Sequence, residues 1–117
     1  MRVYLTAYRP IDTGIFVYAK YLSSSDPDAW EDKGWNLLTQ VGNANYISTN
    51  PYDYRELMFA PGTNQAAENQ ISYTNSTGSS FNTFKTFAIK IVMTGKQTYD
   101  VVKIRDLRVI AMPAKVV

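Results

Sequence analysis

The sequence predicts an all-β protein: an antiparallel β-sandwich, jelly-roll-like, with about seven or eight short strands and long polar loops. Three observations predict it. Apolar residues recur at every second position over residues 1–8, 81–94 and 101–112, the period of a pleated strand. Val, Ile and Thr are plentiful, and nine Tyr, five Phe and two Trp accompany them, all residues that suit a half-buried pleated surface. No stretch carries the 3.6-residue spacing of a long helix. The 117 residues suit one domain, taken as 1–117, and an apolar fraction of 45% is enough to build a core.

The elements follow in order. Met1, Val3, Leu5 and Ala7 share the core face of a first strand, with Arg2, Tyr4, Thr6 and Tyr8 on the other face. RPIDTG, residues 9–14, is a turn, since Pro fixes φ and Gly accepts positive φ. IFVYAKYL, residues 15–22, is apolar on both faces except at Lys20, as an inner strand would be. A short Pro/Gly turn between two strands predicts a hairpin. SSSDPDAWEDKG, residues 23–34, is a polar loop with at most one helical turn, capped by Ser25 or Asp26 ahead of Pro27. WNLLTQ, residues 35–40, is a short strand, and residues 41–51 are largely loop.

YDYRELMF, residues 52–59, fits a strand or a short helix by spacing, and its aromatics and the following Pro61-Gly62 favour a strand. Residues 63–70 are a polar connection, 71–74 a short strand and NSTGSS, 75–80, a turn. Residues 81–94 form the strongest strand, with Phe87, Ile89, Ile91 and Met93 on one face and Thr86, Ala88, Lys90 and Val92 on the other. GKQT, residues 95–98, breaks it and predicts a second hairpin. In the last strand Val102 and Ile104 keep one phase while Leu107, Val109 and Ala111 keep the opposite one, so a β-bulge is expected at Arg105-Asp106. Both terminal strands are long and regular, which predicts interior positions, side by side.

Composition removes several chemistries. The chain has no Cys and no His, so a Cys-His or Ser-His-Asp site is impossible within it, and a zinc site would need carboxylates alone. We therefore expect no enzyme activity, catalytic residues, metal or cofactor. A formal charge of +2 is too mild to imply nucleic acid. No apolar run approaches the roughly 18 residues that cross a bilayer, and the alternating MRVYLTAYRP does not read as a signal h-region. Neither a nucleic-acid nor a membrane partner is expected.

Taken in order, the segments VYLTAYRPIDTGIFVYAKYL (3–22), YDYRELMF (52–59), ISYTNSTGSSFNTFKTFAIKIVMTG (71–95) and KIRDLRVIAMP (103–113) resemble a domain family in virion structural proteins of contractile-tailed phages, especially those of cyanobacteria and related marine bacteria. There the domain is similar to a module of large tail or baseplate proteins. The resemblance implies a virion part assembled in the host cytoplasm, with other virion structural proteins as partners and a homo-oligomer in the particle. The chain is then either a whole small protein or a module of a longer one. A capsid or neck decoration protein of the same fold is the neighbouring possibility.

Candidate contact residues are Tyr4 and Tyr8 on the outer face of the first strand, Trp30 in the acidic loop, and Arg105 and Arg108 beside Asp106 and Lys103 in the last strand. The arginines serve an inter-subunit ion pair or a phosphate contact, or else keep a sheet edge from pairing wrongly. An alternative is a carbohydrate-binding module for a host glycan. Trp35, Tyr52 and Tyr54, with Trp30, would then stack on a sugar ring beside Asn43, Asn45 and Asn50. Asp26, Asp28, Glu31 and Asp32 lack EF-hand spacing and read as a solvated acidic loop rather than a Ca²⁺ site. Asn75-Ser76-Thr77 matches a glycosylation sequon by chance in a phage context. No cleft is implied between Asp12 and Asp53, so a glycosidase pair is not expected.

Overall fold

The computed structural model describes residues 1–42, 46–61, 71–96 and 100–110. Among them the regular structure is extended, apart from one 3-10 turn at Trp30–Asp32. The strands are β1 (Arg2–Tyr8), β2 (Thr13–Leu22), β3 (Asn36–Leu37), β4 (Thr39–Val41), β5 (Arg55–Ala60), β6 (Tyr73–Thr74), β7 (Ser80–Phe81), β8 (Thr86–Gly95) and β9 (Lys103–Ile110). All pairings are antiparallel and give three separate open sheets. The β1 sheet runs β4-β5-β1-β9, the β2 sheet runs β3-β2-β8, and β6-β7 is a small ribbon.

Period two does in the fold what it promises in the sequence. Val3, Leu5 and Ala7 of β1 are buried, while Arg2, Tyr4 and Thr6 between them are not. Ile15, Val17, Ala19 and Tyr21 do the same in β2. With Leu57 and Phe59 of β5 and with Leu38, Tyr46, Ile71, Tyr73 and Val102, they form one buried cluster fed by both larger sheets. Each fully buried side chain of Val or Leu size stabilises by about 1.5–3 kcal/mol, so this shared cluster holds the sheets together.

The expected hairpins are not formed. β1 and β2 lie in different sheets, and so do β8 and β9. A turn signal fixes where the chain reverses but does not choose a strand's neighbour. β2 is matched in length and phase by β8, from Thr13↔Gly95 to Leu22↔Thr86, while β5 and β9 take the two sides of β1. The 9–14 turn is tied instead by the Arg9 guanidinium, which donates to the carbonyls of Thr13 (2.9 Å) and Tyr46 (2.8 Å), with Asp12 at φ 61. At the start of β2, a Cβ on Gly14 would lie 2.8 Å from Thr94 Oγ1, so only Gly permits that close approach.

The terminal strands do pair side by side, but β9 is an edge strand rather than an interior one. The expected bulge is present: Thr6 faces Arg105 and Tyr4 faces Arg108, which leaves Asp106 and Leu107 opposite Leu5. Asp106 adopts φ 56, a left-handed conformation that Asp tolerates better than branched residues. The 35–40 strand is divided at Leu38. Asn36–Leu37 pair with β2 and Thr39–Val41 with β5, while buried Leu38 donates its amide to the Val17 carbonyl at 2.8 Å. Likewise 81–94 is split into β7 and β8, and strand structure in 52–59 begins only at Arg55. The connection at 63–70, the turn residues Gln97 and Thr98, and Asn43, Asn45, Ala111 and Met112 lie outside the described residues.

Candidate interaction surfaces

The outer side of the β1 sheet is a ladder of cations laid on tyrosine rings. Arg108 of β9 pairs across β1 with Tyr4 and lies 5.3 Å from that ring's centroid, and its guanidinium meets Glu56 of β5. Arg105 sits 4.1 Å from the Tyr54 ring and Lys103 5.7 Å from the Tyr8 ring. The Tyr8 and Tyr54 rings lie 5.9 Å apart. Register explains the grouping, since β1 is the shared neighbour of β5 and β9. Of the contact residues expected from sequence, Tyr4, Tyr8, Arg105 and Arg108 therefore come together.

Tyr8 is not the exposed contact expected. It is 7% exposed and donates to the Asp100 carboxylate at 2.7 Å, a bond that pushes its phenol pKa upward. Trp30 lies elsewhere, against the β2 sheet.

The outer side of the β2 sheet is more apolar. Phe16, Tyr18 and Lys20 alternate along β2, Leu37 stands opposite Tyr18 on β3, and Lys90 stands opposite Tyr18 on β8. Lys20 Nζ lies 4.5 Å from the Trp30 ring and 5.8 Å from the Trp35 ring; Lys90 Nζ lies 4.8 Å from both Tyr18 and Trp35. Cations over ring faces are attracted by the aromatic quadrupole, so these contacts order the lysines without neutralising them. Phe16, Trp35 and Leu37 are 43%, 41% and 57% exposed. The four aromatics expected as one sugar platform are divided: Trp30 and Trp35 share Lys20 here, Tyr54 joins Tyr8 by the β1 sheet, and Tyr52 stands almost fully in solvent.

The 26–33 loop is a solvated acidic loop only in part: Glu31 and Asp32 are exposed, but Asp26 is buried. Lys33 Nζ bridges Asp26 (2.8 Å) and Asp28 (2.7 Å), filling the place between the carboxylates that a cation would take. Asp26 also accepts from the Tyr73 hydroxyl at 2.7 Å and from the Asp28 amide, and Asp28 accepts from the amide and hydroxyl of Ser76. The loop is thereby latched to the β6-β7 ribbon.

Burial alone would raise the Asp26 carboxyl pKa. The Lys33 ammonium, the Asp28 amide, Tyr73 and Asn75 outweigh that and hold it well below the usual carboxylate range. Burial would likewise lower the Lys33 pKa, but its two carboxylates raise it. Neither Ser25 nor Asp26 caps the 3-10 turn, whose preceding residue is Ala29, because Asp26 is spent on the latch. Among the described residues no group of three acidic side chains is arranged to hold a metal.

Beside the latch is an open cleft of about 270 Å³ between Asp28, Asp32 and Lys33 on one side and Thr74, Asn75 and Ser76 on the other. Its polar groups are largely committed to one another. Asn75 is buried, accepts from Thr77 and Ser79, and turns its amide toward Asp26, so the sequon is structural. Asp53 accepts from the Thr49 amide and from Arg55, which leaves it no part in a carboxylate pair with Asp12.

The sequence pointed to the arginines and tryptophans by residue type. It gave no sign of Lys33, whose partner carboxylates are close in sequence but whose burial depends on Tyr73 and Ser76, forty or more positions on. Comparison with protein-family models, curated proteins and solved structures gives no match for this chain.

Proposed function

We propose that the chain is a non-enzymatic structural protein of a phage virion, a tail or baseplate assembly module that works through contacts with other virion proteins. In this reading the two larger sheets are the layers of a jelly-roll-like β-sandwich, and their outer faces are what neighbours touch. One observation carries it: Phe16, Trp35 and Leu37 of the β2 sheet region are each roughly half exposed, and the Trp35 ring is flanked by Lys20 and Lys90. Aromatic side chains supply much contact area at little entropic cost, and charged groups that are held in place add specificity. The ordered resemblance of residues 3–113 to phage virion modules supplies the biological setting.

A specific contact of this kind buries on the order of 1,200–2,000 Å² in total. The test is a cryo-EM reconstruction of the virion that carries the chain. The expected result seats another virion protein over Trp35 and Leu37; a chain that touches no other protein in the particle overturns the reading.

Trp30 and Trp35, both reached by Lys20, also support a second reading, a module that binds a host glycan. Calorimetry with host polysaccharide separates the two. Heat that disappears with Trp35→Ala favours the glycan, and none at all favours assembly alone.

A further inference from the structure

The outer strands of the two larger sheets are not protected alike. β4 and β3 have three and two residues, too short to template a long pairing. β9 is broken by its bulge at Asp106 and carries Lys103, Arg105, Asp106 and Arg108. Shortness, bulges and charge are the usual guards of a sheet edge. β8 has none of them: ten residues, regular pairing with β2 throughout, no Pro, and Lys90 as its one charged residue. That lysine does not guard the edge either, since its Nζ is drawn back over Tyr18 and Trp35 on the far side of β2. No residue of β8 is buried, and Phe87 and Met93, on the face turned toward the core, are 39% and 53% exposed.

We infer that β8 pairs with β8 of a second copy of this chain, antiparallel about a two-fold axis, making one continuous sheet β3-β2-β8-β8-β2-β3. A partner strand must be long, apolar on alternate positions and unpaired on one side; among the described residues β8 itself is such a strand. Antiparallel pairing lays each alternating face against its equal, so Ile89 meets Met93 of the other copy on the core side. The axis passes through Ile91. An axis through Lys90 would set two lysines face to face, and one through Ile89 would shorten the overlap. With the axis at Ile91, Lys90 faces Val92 of the second copy, and Phe87 through Gly95 are paired. The strand edges supply hydrogen bonds, and the exposed Phe87 and Met93 side chains supply the apolar burial that a bare edge lacks. The inference is independent of the virion reading, since it concerns a surface that the outer-face contacts do not use.

The test uses the full chain in solution. Light scattering across a dilution series reaching about 1 mM is expected to show a species of twice the 13.2 kDa chain mass that dissociates on dilution. Because the chain has no Cys, single Cys variants report position cleanly. Val92→Cys is expected to cross-link to itself with a short bismaleimide, and Leu37→Cys, on the opposite edge strand, is not. Met93→Lys, at a half-exposed site, is expected to weaken self-association by about tenfold or more while the circular dichroism stays unchanged. A monomer at every concentration overturns the inference, and so does Leu37→Cys cross-linking as well as Val92→Cys. A monomer that still docks in the particle leaves the assembly reading standing and removes only this one.

Discussion

Lys33 and Arg108 each meet carboxylates, and they do so in opposite surroundings. Lys33 lies between Asp26 and Asp28 with 6% of its side chain exposed, and those two carboxylates join the loop to a ribbon more than forty residues on. Arg108 meets Glu56 across the β1 sheet with 59% and 52% of the two side chains in solvent. The first pair cannot be loosened without leaving the Asp26 charge buried and uncompensated, whereas water replaces the second. The difference shows where charge fixes the fold and where it remains available to a partner.

Four changes break or sharpen that contrast. Lys33→Met should have the largest effect, because it strands Asp26 and Asp28; a fall of roughly 10 °C or more in thermal midpoint is expected by calorimetry. Adding Asp26→Asn should restore part of that loss.

Acid should act next. The Asp26 pKa is lowered by folding, so its stabilising share is full above the ordinary value of 3.8 and is lost as pH falls below it. Lys33 is raised, so its share is full below its ordinary value of 10.5 and is lost above it. The share that this pair adds to the thermal midpoint should therefore hold between those limits and fall on both sides, and Lys33→Met should blunt the acid limb.

A third change separates the shape of β9 from its charge. Asp106→Val should cost about 1–2 kcal/mol by denaturant titration, because a β-branched residue resists φ 56, whereas Asp106→Gly should be near neutral. Glu56→Gln should be smallest, under about 1 kcal/mol, and 1 M salt should erase it.

Local pattern told much of this fold in advance. The core face of β1, both faces of β8 and the bulge at Asp106 all follow from the two-residue period, which is a property of neighbouring residues. Strand partners followed only in part: β1 and β9 pair side by side as expected, but the expected hairpins do not form. The 9–14 turn marks a reversal, yet nothing within it says that β2 will prefer β8, more than sixty residues on. The contact surfaces divide the same way. Tyr4, Arg105 and Arg108 were visible as contact candidates, but nothing local showed that the loop residue Trp30 would lie by the β2 sheet, away from them. Lys33 was invisible because D-P-D-A-W-E-D-K reads as a hydrated stretch until Tyr73 and Ser76 close over it.

Leu38 ties the two larger sheets by a single buried residue, with two residues of one sheet before it and three of the other after it. Sliding one sheet past the other would drag that side chain through packed neighbours and break its bond to Val17. The short crossing acts as a stitch against shear. Pulled from one side, the chain therefore yields with its two larger sheets moving together.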